Sequence, residues 1–372
     1  MDHRNRTLIA LILLGFSVAE AHKGWFLDTT PYPLRWSLFL QPLPLGITLL
    51  AILAVAGLAW VQHWRSGAGF LPGLERFGAA PGRLAGLYAV MPLLLGIHVA
   101  VPLAINAMQR HLFVPDVPLP LSLLDLFELG IALALFFGIL TRYAAVALAF
   151  LWVFGIFLVG LRPMLENIHF LGYAGFFFFA GRGPISVDRI LFPRLEPDAL
   201  RLRLAIPALR VGIALSIIAV AFTEKLADLP YGLAFLQKYP LNFVHQIGIP
   251  LPDTLFLVGA GGVELGIGLM LLFNLFTREI SILAWVFFNL TLSVFDVTEL
   301  INHLPFYAAM FLLILWKPDE HSQEMWRAGL QDALIPLQQA TSAGLSSRTR
   351  ARQVCPWPKS SYGEATPAVR QM

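Results

Sequence analysis

Two carboxylates sit inside near-identical apolar words, ELGIALALFFGILTR beginning at Glu128 and ELGIGLMLLFNLFTR beginning at Glu264, which share roughly nine of fifteen positions. Each word leads through an apolar stretch to an acidic, polar and histidine cluster: Glu166-Asn167-Ile168-His169 in the first copy, Glu299-Leu300-Ile301-Asn302-His303 in the second. A chain with this echo must build two related units. It must also compensate two carboxylates placed where the surrounding residues read as lipid-embedded helix, at a cost of about 2.5–3.5 kcal/mol for a charged side chain.

The surroundings are apolar by composition as well as by pattern. Hydrophobic residues make up 57% of the chain, charged residues 13%, and mean hydropathy is +0.70. These values indicate an all-α integral membrane protein whose partner is the lipid bilayer. The net charge is only +3, and the basic residues fall in loops and the tail, which argues against nucleic acid as a partner. Cys355 is the only cysteine, excluding an internal disulfide, a C-x-x-C redox pair, covalent c-type haem attachment and thiolate-only iron–sulfur ligation.

Arg4 and Arg6, the short apolar run from Leu8 to Val18 and then Ala19-Glu20-Ala21 form a secretory signal pattern over 1–21, which makes His22 the mature N-terminus. Apolar windows near 44–62, 85–107, 121–140, 143–161, 168–181, 204–222, 254–276, 280–298 and 303–316 predict about nine transmembrane helices after cleavage. With the N-terminus outside, Arg65, Arg76, Arg83, Arg142, Arg182, Arg189, Arg278 and the basic tail fall inside, in accord with the positive-inside rule. The expected location is the bacterial cytoplasmic membrane, with a periplasmic N-terminus and a cytoplasmic C-terminus.

Each copy holds four spans, an even number, so the copies form two four-helix bundles in the same orientation. The divisions are 22–84 for the outer segment, first helix and inner loop, 85–185 and 204–316 for the bundles, 186–203 for an inner linker and 317–372 for a partly disordered cytoplasmic tail. A surface helix is expected at 319–340.

Depth arithmetic at ~1.5 Å per residue pairs the intramembrane polar groups. Glu128 at ~10 Å and His98 at ~14 Å from the same end are expected neighbours. Glu264 and Arg210 are separated by a vertical gap of ~6 Å that a guanidinium spans. Interhelical clamping is the alternative role for both pairs.

Leu209-Arg210-Val211-Gly212, Lys225 near the far end of the same helix, then Glu264-x-Gly266-x-x-Leu269-x-x-Leu272 and the terminal Thr277-Arg278 resemble the DoxX family of four-helix membrane proteins. The resemblance covers both copies, implying a tandem DoxX-like protein. The second copy matches better, since the first has Leu94 for Arg210 and Gln109 for Lys225, and the family's glycine before the lysine is replaced around Ala221 to Thr223. His22-Lys23-Gly24-Trp25-Phe26 is similar to the His-x-Lys-Trp-Phe opening of one subgroup, with Gly24 inserted. The family implies a membrane subunit like that of thiosulfate:quinone oxidoreductase, or metal- and oxidant-response roles.

Four functional readings follow. The first is a quinone-linked or accessory redox subunit acting at the outer face, with Glu264, Arg210, Glu299 and His303 as catalytic candidates and Lys225, Glu128 and His98 as candidates for holding the cofactor. Its electrons come from a periplasmic or membrane redox partner, because the chain has no flavin, haem or iron–sulfur signature. The second is outer-face handling of copper or iron by His22, Glu166 and His169, the last two at the i, i+3 spacing of di-iron bundles, with His111, His245 and His303 near the same surface. The third is transport of a small solute between the bundles, and the fourth a scaffold without chemistry. Asn289 and Asp296 are placed to line the second bundle.

Overall fold

The computed structural model describes residues 23–28, 31–77, 79, 81–119, 122–191, 199–246, 248–291, 297–317 and 320–332. The expected signal peptide, His22, Asp296 and the tail from residue 333 lie outside the described residues.

A helix occupies each apolar window. These are α1 (Pro42–Trp64), α2 (Pro81–Met108), α3 (Ser122–Phe137) and α4 (Thr141–Val159), then, after a short α5 (Leu161–Glu166), α6 (His169–Ala180) and α7 (Ala199–Ala221). A short α8 (Leu229–Lys238) precedes α9 (Asp253–Leu272), α10 (Thr277–Thr291), α11 (Val297–Leu315) and the polar α12 (Glu320–Asp332). Among the described residues, six helices are long and apolar enough to cross a membrane: α1, α2, α4, α7 with its continuation to Leu226, α9 and α11. Shorter are α3 with 16 residues, α10 with 15 and α6 with 12. The described residues contain no strand, only an isolated bridge between His111 and Pro118.

The packing order closes on itself. Helix α2 packs on α3, α3 on α4, α4 on α6, α6 on α7, α7 on α9, α9 on α10, α10 on α11, and α11 returns to α2. Residues up to Leu330 form one compact unit, in which the helices of 85–185 meet those of 204–316 through α6 and α7 on one side and α2 and α11 on the other. Between α6 and α7 the backbones meet at Gly172 and Gly212, where a Cβ on Gly172 would stand 2.8 Å from the Gly212 Cα. With no hydrophobic drive between helices in lipid, such small-residue crossings and polar contacts do the holding. Helix α1 stands outside this ring against α9, with only 17% of its central window buried, as suits a helix that faces lipid.

The echoed words end in the same turn. Gly138 and Leu140 adopt φ of 67° and 48°, and the corresponding Asn274 and Phe276 adopt 59° and 44°. Left-handed backbone at Leu and Phe costs about 1–3 kcal/mol each and persists only where neighbours enforce it. Asp188 enforces the first, accepting the Leu140 and Thr141 amides at 2.5 and 2.7 Å, and Gln62 the second, accepting the Phe276 amide at 3.1 Å.

Both helices that carry an echoed glutamate are capped at their C-termini by an arginine. The Arg210 guanidinium donates to the Leu271 carbonyl and, at 2.8 Å, to that of Leu272. Arg182 donates to Leu135 and Phe136 at 2.6 and 2.8 Å, with its side chain lying against Gly96 and Gly138. Arg210 on α7 and Arg182, in the turn after α6, thus satisfy the same kind of orphan carbonyls. Helix α12 falls within the expected 319–340. It buries Trp326 against Trp316 and Phe176, with ring centroids 5.4 and 6.3 Å away.

Candidate functional site

Four segments converge at one end of the ring: α5, the 111–118 loop, a π-turn at Phe222–Leu226 and α8. The left-handed Gly160 (φ 95°) ends α4 and starts α5, whose single face carries Arg162 and Glu166 at i, i+4. Across from it α7 widens into the π-turn, closed by a hydrogen bond from the Ala227 N–H to the Phe222 carbonyl at 2.9 Å. One extra residue in the turn rotates Glu224 and Lys225 inward, a geometry that recurs at functional sites. Gly261 on α9 permits the approach, since a Cβ there would lie 3.0 Å from the Lys225 Cβ. Asp228 then starts α8, accepting the Tyr231 amide at 3.4 Å, with Pro230 in the first turn where its missing N–H is harmless.

The Lys225 ammonium is fully buried, 2.9 Å from the Glu264 carboxylate and 3.9 Å from that of Glu224. Arg162 stands 3.2 Å from Glu166 and 3.4 Å from Asp228, donates to the carbonyls of Thr223 and Tyr32 at 2.8 and 3.3 Å, and lies over the Tyr231 ring. Among the described side chains, the carboxylates of Asp116, Glu166, Glu224, Asp228 and Glu264 share this end with the cations of Arg162 and Lys225. Burial pushes the Glu166 carboxyl up to about 7, and the Glu224 charge adds to this against the lowering effects of the Thr223 hydroxyl and Arg162. Burial likewise raises the Tyr231 phenol, with Glu224 adding to it.

A cleft of about 490 Å³ opens onto this network. Leu158, Val159, Val117, Pro118 and Leu119 make its apolar wall, and Asp116, Arg162 and Glu166 its polar one. The cleft thus sets apolar side chains beside two carboxylates and a guanidinium.

The expected pairings change. Glu264 meets Lys225 rather than Arg210, because the π-turn brings the ammonium inward while the Arg210 guanidinium is taken by the last carbonyls of α9. His98 and Glu128 are each bound elsewhere. His98 Nδ1 lies 2.7 Å from the Leu94 carbonyl of its own helix, so that nitrogen carries the proton. Glu128, fully buried, accepts the Phe113 amide at 2.8 Å, while its other oxygen finds no hydrogen-bond partner among the described residues. Phe113 presents that amide because the 111–118 loop folds inward, with Phe113 at φ 65° and stacked on Phe170 at 4.6 Å.

Glu299 and His303 do come together, 3.2 Å apart and buried, with Trp25 and Phe288 rings 4.9 and 4.7 Å from the imidazole. The adjoining Asn302 accepts from Asn106 of α2 at 2.8 Å, tying α11 to α2. Glu166 and His169 do not converge on a metal position. Glu166 faces Arg162, while His169 Nδ1 stands 2.9 Å from the Ser216 hydroxyl, its ring among Phe170, Tyr173 and Phe306. No group of three or more His, Cys, Asp or Glu among the described residues is arranged to hold a metal ion. Asn289 turns to its own helix, donating to the Trp285 carbonyl at 2.7 Å.

Sequence reasoning missed Arg162, Asp116, Glu224 and Asp228. Glu224 precedes the lysine it joins, and Arg162 lies four residues before Glu166, a spacing that signals an ion pair. Comparison with family models, with curated proteins and with solved structures finds no match to this chain.

Proposed function

We propose that this chain is the membrane subunit of a quinone-linked redox system, a tandem DoxX-like protein whose cleft at the acidic end holds a quinone ring. The observation that carries the reading is the cleft wall, where Arg162 and Glu166 stand 3.2 Å apart beside an apolar surface. Arg162 offers N–H donors to a ring carbonyl, and its charge stabilises the anion that forms as the ring is reduced. Glu166, with a pKa near 7, is suited to exchange a proton with that oxygen at neutral pH. Reduction of one quinone takes two electrons from a partner redox protein and two protons from the aqueous side, and each carbonyl oxygen ends as a hydroxyl.

Placement follows from charge. The opposite end carries Arg65, Arg182, Arg189 and Arg278, and by the positive-inside rule this supports a cytoplasmic side there and a cleft at the outer face of a bacterial inner membrane. Counting α3, α10 and the α5–α6 pair as shorter spans brings the number to nine, in keeping with two copies related by an axis along the membrane normal.

Organic extraction of the purified protein, followed by titration with decylubiquinone and menadione, tests the reading. Quinone in the extract or saturable binding on add-back, weakened in Arg162→Ala, is the expected result. Phospholipid alone in the extract together with no saturable binding contradicts it.

A further inference from the structure

The opening segment of the described chain crosses the acidic end and is pinned at successive residues. Gly24 packs against the Asp116 carboxylate, leaving no space for a Cβ. Trp25 covers the imidazole of His303 at 4.9 Å. Phe26 meets Tyr239 edge-on at 6.1 Å, and its carbonyl accepts from the Lys238 ammonium at 2.8 Å. The Leu27 carbonyl accepts from the Tyr231 hydroxyl at 3.2 Å.

We propose that residues 24–27 form a positioning strap, in which Gly24 sets where the Asp116 carboxylate stands in the cleft wall while Trp25 roofs the Glu299–His303 pair. Asp116, a cleft-lining carboxylate, contacts this segment, and Tyr231, which holds the strap at Leu27, also lies beneath Arg162. The strap therefore touches Asp116 of the polar wall and, through Tyr231, the residue beneath Arg162, without lining the cleft. Glycine is required for a specific reason. The atom its Cβ would strike is the far end of the Asp116 side chain, so a methyl group at residue 24 displaces that carboxylate and leaves the surrounding backbone in place.

The cleft half of this inference rests on quinone occupying the cleft, and the roof half does not. For the first half, decylubiquinone affinity is measured in the full-length protein and in Gly24→Ala, Asp116→Ala and the double variant. Gly24→Ala is expected to weaken binding by roughly fivefold in the native background and to have no further effect once Asp116 is alanine, the signature of direct coupling. An equal effect in both backgrounds, or none in either, overturns Gly24 as a positioning residue.

For the roof, diethyl pyrocarbonate modification of His303 is followed by peptide mass spectrometry, with the exposed His245 as internal standard. Trp25→Ala is expected to speed modification of His303 by roughly tenfold or more, as local opening becomes easier, while Trp25→Phe retains protection. Equal rates in the native protein and Trp25→Ala overturn the strap even if quinone binds. If quinone does not bind, the proposed function falls and the His303 rates decide the strap alone.

Discussion

Lys225 and Glu264 form a buried ion pair at 2.9 Å, joining the π-turn that follows α7 to the middle of α9. Glu128, which opens the other echoed word, takes a backbone amide instead. The two echoed words thus hold a buried carboxylate in different ways.

Their substitutions should separate accordingly. Lys225→Met leaves the Glu264 carboxylate buried without its cation and is expected to destabilise by about 3–5 kcal/mol, with the Lys225→Met/Glu264→Gln double variant recovering most of the loss. Glu128→Gln keeps a carbonyl oxygen for the Phe113 amide and is expected to cost less than about 1 kcal/mol. Thermal unfolding of the three variants in the same detergent checks both, and a double variant no better than Lys225→Met would deny the pairing.

The crossing of α6 and α7 has no slack. Since the atoms facing Gly172 are the Gly212 Cα and the carbonyls of Ala208 and Leu209, a methyl there must push backbone. Gly172→Ala is expected to cost about 1–3 kcal/mol, and Gly212→Leu more, whereas Gly266→Ala, with open space around it, should be silent. Unfolding midpoints of the three would rank them, and equal midpoints would contradict the crossing.

Glu166 makes stability depend on pH in a stated direction. Its folded pKa, near 7, lies above the unfolded value of 4.5, so the fold favours the protonated carboxyl. The resulting stabilisation is complete below pH 4.5 and is lost as pH rises through 7, at up to about 1.4 kcal/mol per unit. Glu166→Gln should flatten the fall in unfolding midpoint between those values. A slope unchanged in the variant would place the titration on another group.

Much of the scaffold was legible because lipid imposes a single rule. Every backbone polar group must be satisfied within a helix, so apolar windows of sufficient length mark helices wherever they occur. The window at 254–276 and α9 at Asp253–Leu272 agree for this reason, as do 44–62 and Pro42–Trp64. The site was less legible because vertical distance along a regular helix says nothing of rotation about it. Arg210 and Glu264 lie within reach in depth, yet the π-turn, invisible to a 3.6-residue period, turns Lys225 to the glutamate first. Arg162 falls between two apolar windows, where the short α5 interrupts them, and its pair with Glu166 gains meaning only beside Asp228 and the cleft.

The central claim is that a quinone ring occupies the cleft beside Arg162 and Glu166. Photolabelling with an azidoquinone, followed by mass spectrometric mapping, tests it most directly. The account predicts saturable labelling of peptides containing residues 117–119 or 158–166, competed by decylubiquinone and reduced in Arg162→Ala. Competed labelling that maps elsewhere, such as the groove beside His63 and Phe273 at the opposite end, would contradict it.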